Sequence, residues 1–108
     1  MRYCLALDLQ DDAGKIAEYE KWHTKVWPEI KKSIVDSGIT EMQIYRTGNR
    51  LFMIMETLAT FSFEDKTLRD RNDPKVIEWE QLMWNYQKPL PWANDGEKWI
   101  LMQCIFTL

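Results

Sequence analysis

The stretch Leu51-Phe-Met-Ile-Met55 is apolar at every position. Near the end of the chain, residues 99–106 would set Trp99, Leu101 and Ile105 on one side of an extended strand and Ile100, Met102, Cys104 and Phe106 on the other. Successive side chains of a strand point to opposite faces, so a sheet with one wet face reads as an alternation of apolar and polar residues. These two segments do not alternate, and both faces of their sheet call for cover. A chain of 108 residues builds one domain and has no spare elements for a second helical layer. A lone copy would therefore expose a large apolar patch. The expected cover is a second copy laid across the open face, which gives a dimeric α+β barrel. The alternative is a twisted sheet that leaves an apolar face in water.

The rest of the chain supplies the elements around that sheet. Residues 2–9 alternate Tyr3, Leu5, Leu7 and Leu9 against Cys4, Ala6 and Asp8, which predicts a strand. Asp11 or Asp12 offers a helix N-cap, and Ile16, Tyr19, His23, Val26/Trp27, Ile30 and Ile34 then fall on one helical face. Pro28 removes a backbone donor and clashes with the preceding turn, so a kink or restart is expected at residues 24–27. Gly38 closes the segment as a C-cap glycine. Strands are predicted over 39–47 and 51–57, joined by Gly48-Asn49, a dipeptide suited to a tight hairpin. Residues 61–71 read as a short or poorly ordered helix. Asp73-Pro74 then starts a helix to about Tyr86 with Val76, Trp79, Met83 and Tyr86 on one face. Pro89-Leu-Pro-Trp92 reads as a loop, and 99–106 as the last strand. The order βαββαβ predicts a ferredoxin-like α+β sandwich, with residues 1–108 forming a single domain.

Several functions are disfavoured at once. The charge sum is −3 with no basic cluster, which speaks against nucleic-acid or anionic-membrane partners. Apolar runs such as residues 51–55 fall far short of the roughly 20 residues that cross a bilayer. Arg2 leads directly into a strand-like segment, unlike a signal peptide, and a cytoplasmic location follows, with Cys4 and Cys104 reduced. One histidine and two distant cysteines give no metal-ligand spacing, so no metal is expected, and the glycine signatures of nucleotide cofactors are missing.

Candidate chemistry gathers on two helices. Tyr19, His23 and Trp27 follow one another at single-turn spacing, which aligns phenol, imidazole and indole along one ridge. An imidazole near its unperturbed pKa of about 6.5 can give or take a proton at neutral pH. The plainer alternative is a hydrogen-bonded core histidine. On the later helix, Glu80 lies between Trp79 and Trp84, and a carboxylate bracketed by indoles suits a sugar, whose C–H face stacks on rings while its hydroxyls find an acceptor. Here the alternative is a solvated glutamate at the edge of an aromatic core. Six tryptophans in so short a chain fit either a ligand site or an enlarged core.

The string Glu18-Tyr19-x3-His23-x3-Trp27-Pro28-Glu29 resembles the signature of the L-rhamnose mutarotase family. Gly38, Ile44-Tyr45, Trp79, Met83 and Ile105-Phe106 extend the resemblance over nearly the whole chain. It implies a small dimeric α+β protein that interconverts the α and β anomers of a free sugar without a cofactor. It further implies that His23 acts as proton donor and that Tyr19 and Trp79 contact the sugar. Two positions depart from the family: Glu80 replaces the second of two adjacent tryptophans, and Met42 replaces a pocket tyrosine. The exchange alters which hydroxyls can be matched, so a related 6-deoxy sugar such as L-fucose becomes a candidate beside L-rhamnose. Glu80, a substrate-binding candidate, is also a candidate base on composition alone. Two rival expectations stand beside this one: a cofactor-free monooxygenase of the same dimeric shape, and a non-catalytic sugar-binding or dimerisation module.

Overall fold

A computed structural model describes residues 1–108. Strand β1 (Arg2–Leu9) lies at the centre of the sheet and pairs antiparallel with β3 (Arg50–Thr57) from Arg2↔Glu56 to Asp8↔Arg50. β2 (Ile39–Thr47) flanks β3, and Thr47↔Arg50 closes their hairpin around Gly48 and Asn49. Gly48 supplies the positive φ of that turn, +56°, while Asn49 does not leave the negative range. On the other side of β1 run two short strands, β4 (Gln87–Lys88) and β5 (Ile100–Leu101). The order β2-β3-β1-β4 is that of a ferredoxin-like α+β fold, as expected from the element order.

Four helices complete the fold. Asp12 caps α1 (Ala13–His23) by accepting from the Lys15 amide at 2.9 Å. The break at residues 24–27 is a true restart: Thr24 closes α1 through its hydroxyl on the Lys21 carbonyl, and α2 (Pro28–Asp36) begins at Pro28. Proline is suited to that first position because its missing N–H would find no partner there in any case. Gly38 has φ +101°, and a Cβ there would sit 3.7 Å from Phe61, so the left-handed conformation rather than space demands glycine. α3 (Phe63–Arg71) is a regular helix with no buried residue, supported by the pairs Lys66–Asp70 and Arg69–Asp65 one turn apart. Asp73 caps α4 (Pro74–Trp84). None of these helices is long and apolar enough to cross a membrane.

The core lies between the helices and one face of the sheet. Tyr19, Ile30, Val76, Trp79 and Met83 from the helices pack with Leu9 and Leu51, and a second cluster joins Leu5, Ile39, Met53 and Met55. Cys4, Ala6, Phe52, Ile54 and Ile100, which alternate with these, are half-buried on the opposite face.

The closing strand departs from expectation. Residues 99–106 were predicted as one strand, but only Ile100–Leu101 pairs with β1, and past the Met102 amide on the Cys4 carbonyl the chain runs free. Ile105 is 91% and Phe106 76% exposed. Their apolar alternation reports a need for burial, which nothing within this chain meets. The α4 helix also stops at Trp84 rather than at Tyr86: Asn85 turns its backbone and side-chain N–H groups onto the Leu82 carbonyl. That stop frees Gln87 and Lys88 to pair with Leu9 and Asp8 as β4, a strand too short for any periodicity to reveal. The fourth lane of the sheet is thus made in two pieces, and residues 89–99 leave it and return.

Candidate active site

A cavity of about 280 Å³ opens between the helices and the inner face of the sheet. Tyr19 and His23 from α1, Trp79 and Glu80 from α4, Met42 from β2, Gln87 from β4 and Trp99 all line it. Its walls are mostly apolar, with Ile34, Ile44, Met53 and Met55 among them. A small pocket of hydrocarbon with few polar groups fits one small ring better than a chain of them.

His23 sits in the last turn of α1. Its Nδ1 lies 2.8 Å from the Tyr19 carbonyl oxygen, one turn back. A carbonyl only accepts, so Nδ1 carries the hydrogen and donates, which leaves Nε2 as the nitrogen available to the cavity. The ring is braced by Tyr19 at 4.4 Å between centroids and by the edge of Trp79 at 5.8 Å. Trp79 also meets Trp22 and Trp27 at near-perpendicular angles, so one buried indole fixes three aromatic neighbours and the imidazole is held rather than swinging. Trp27 itself lies behind Trp79 and does not line the cavity.

Tyr19 is buried, and burial pushes its phenol up to about 12; the Glu80 charge adds to the shift, while the adjacent Gln87 amide opposes it. At neutral pH the phenol keeps its proton and is able to donate a hydrogen bond. Glu80 does not stand alone between two indoles, as the spacing had suggested. Lys98 reaches its carboxylate at 2.7 Å and its backbone carbonyl at 3.2 Å, and the same ammonium lies 4.6 Å over the Trp84 ring. The indole on the far side is therefore occupied by a cation. No three His, Cys, Asp or Glu side chains converge as a metal would require.

Two features of the site escaped the sequence. Lys98 is distant in sequence from Glu80, and a lone lysine in a polar stretch carries no signal. Gln87 depends on the register of a two-residue strand, because Leu9↔Gln87 places it on the same face as Leu9 and so toward the cavity. The loop at residues 89–92 is not over the cavity. Trp92 lies 5.4 Å from the Arg50 guanidinium, which grips Asp8 with two bonds of 2.7 and 3.1 Å at the end of the β1–β3 ladder. The end of the excursion reaches the cavity through Trp99, and Lys98 beside it holds Glu80.

Residues 2–108 match a family model described as L-rhamnose mutarotase. A protein of Xanthomonas campestris pv. campestris named L-fucose mutarotase is 46% identical, over 99% of this chain and 87% of its own length. An L-rhamnose mutarotase from Formosa agariphila superposes over 100% of this chain and 98% of its own, with TM-score 0.74 and 22% identity. Tetracenomycin F2 cyclase from Streptomyces glaucescens, a polyketide cyclase, shares the fold with TM-score 0.65 and 15% identity, covering 100% of this chain and 96% of its own. The last two likenesses concern the fold, and the cyclase shows that this shape alone does not choose a reaction.

Proposed function

The chain belongs to the L-rhamnose mutarotase family and is a sugar mutarotase; we propose that its substrate is a 6-deoxy-L-hexose, with L-fucose preferred to L-rhamnose. Support for the sugar class comes from the cavity walls, whose hydrocarbon matches a ring that carries a methyl group in place of a hydroxymethyl. Preference for L-fucose follows the relative of that name at 46% identity and the two departures that line the cavity, Met42 and Glu80. The two sugars differ in configuration at C2 and C4, so altered polar walls are what would separate them.

The reaction needs one proton delivered and one removed. His23, as imidazolium, gives its Nε2 proton to the ring oxygen as the bond between that oxygen and C1 breaks. Glu80, held by Lys98, accepts the proton of the anomeric hydroxyl, and the product is the open aldehyde. Rotation about C1–C2 presents the other face, and closure returns both protons, so no atom or electron is gained or lost. Tyr19 and Trp79 hold the ring while C1 turns. The single observation that carries this assignment is the imidazole whose Nδ1 is spent on a backbone carbonyl, leaving Nε2 to a cavity shared with a protonated phenol.

The working unit is a homodimer in the cytoplasm, with the half-buried face around Phe52 and Ile54 and the free tail at Ile105 and Phe106 covered by the second copy. A separation of that size between apolar pattern and local burial is otherwise a liability in water. Exchange NMR spectroscopy on L-fucose, L-rhamnose and common aldoses tests the whole proposal. Faster anomer exchange is expected for L-fucose, then L-rhamnose, and exchange at the spontaneous rate for every sugar would overturn it.

A further inference from the structure

Of all buried side-chain nitrogen and oxygen atoms, Gln87 Oε1 is the one that has no hydrogen-bond partner. Folded proteins leave very few such atoms, and each one needs a reason. Gln87 is only 7% exposed, and its backbone is pinned to Leu9, so the side chain is committed to the cavity face of the sheet. It lines the cavity together with Tyr19, His23 and Glu80. An amide oxygen can only accept, so what it lacks is an O–H or N–H donor. Beside it, the Tyr19 phenol is influenced by the Gln87 amide and still has its own proton to give at neutral pH. A donor and an acceptor side by side match one hydroxyl group, which can accept from the first and donate to the second.

We propose that Gln87 is a substrate-binding residue whose Oε1 accepts one ring hydroxyl of the bound deoxyhexose, which in turn accepts from Tyr19. This rests on the mutarotase assignment of the cavity, and it goes further in saying which group selects the hydroxyl. A site built to bond a hydroxyl rejects the analogue that lacks it, because the protein's own polar group is then left bare.

The test pairs Gln87→Leu with L-fucose and its 2-, 3- and 4-deoxy analogues, following anomer exchange by NMR and the sugar-dependent rise in melting temperature. Wild-type protein is expected to lose about 10- to 100-fold in efficiency on one analogue. Gln87→Leu should lose a similar factor on L-fucose yet no more on that analogue. Without sugar it should melt no lower than wild type, since a bare carbonyl has been exchanged for hydrocarbon among hydrocarbon. A Gln87→Leu protein equal to wild type across the series would overturn the proposal. So would one impaired equally on all four sugars and less stable without them, which is the mark of a structural role. A wild-type protein that accelerates no sugar would instead strike the mutarotase assignment; the sugar-dependent melting shift still judges Gln87, which falls if the leucine variant shifts as far as wild type.

Discussion

Replacing His23 with asparagine separates the chemistry of this residue from its structural part. The asparagine amide can still reach back to the Tyr19 carbonyl, so the bond made by Nδ1 at 2.8 Å has a substitute, while nothing takes the place of Nε2. Lost with the ring are its contacts to Tyr19 and Trp79. Aromatic pairs of that kind contribute about 0.5–1.5 kcal/mol each, so the variant should lose about 1–3 kcal/mol of stability and remain folded. A positioned acid contributes about 10²- to 10⁴-fold in rate, or about 2.7–5.4 kcal/mol of barrier, which returns exchange close to the spontaneous rate. The assay is anomer exchange of L-fucose by NMR beside a denaturant melt of the same sample. A folded His23→Asn protein that exchanges the sugar at the wild-type rate would remove the imidazole from the mechanism.

Three further outcomes follow from the same geometry. Unfolded tyrosine titrates near 10 while Tyr19 in the fold titrates at about 12, so between those values the folded chain keeps a proton that the unfolded chain has released. Stability from this residue is full below about pH 10 and declines by about 2.7 kcal/mol as pH rises through the folded value; urea melts from pH 8 to 12 should show that decline in wild type and its loss in Tyr19→Phe. Restoring the family's tyrosine with Met42→Tyr, which leaves Glu80 in place as the base, should raise efficiency on L-rhamnose relative to L-fucose by about tenfold or more, read as a ratio of exchange rates. Phe52→Glu places a charge on the half-buried outer face and should convert the proposed dimer to a species near the 13.0 kDa chain mass in sedimentation, with sedimentation of the variant as a dimer refuting that face as the interface.

Much of the fold was legible because its signals are local. Asp12, Pro28, Gly38, Gly48 and Asp73 each carry a backbone requirement that depends on near neighbours, and each stands at an element boundary. The inward stripe from Tyr19 through His23 to Ile30 was equally readable, since helical spacing fixes a face whatever lies opposite. What escaped depended on distant partners. Apolar alternation in residues 99–106 shows that both sides want cover, but only the lane beside β1 decides how many residues pair, and it takes two. Gln87 enters the cavity through a register set across the sheet, and Lys98 reaches Glu80 from a loop. A residue's own neighbours in the chain say nothing of such meetings.

The split in the fourth lane has a bearing on how this scaffold could diversify. Because residues 89–99 leave β1 at Lys88 and rejoin it at Ile100, their ends are anchored opposite Asp8 and Ala6, two residues apart on one strand. Lengthening a surface segment fixed in this way costs only about 0.6 kcal/mol per doubling. Its far end touches the cavity through Trp99 and grips Glu80 through Lys98, while His23 belongs to a helix elsewhere. Insertions there could retune which guest is admitted and leave the proton-handling apparatus undisturbed, which makes this interruption a natural graft point for new selectivity.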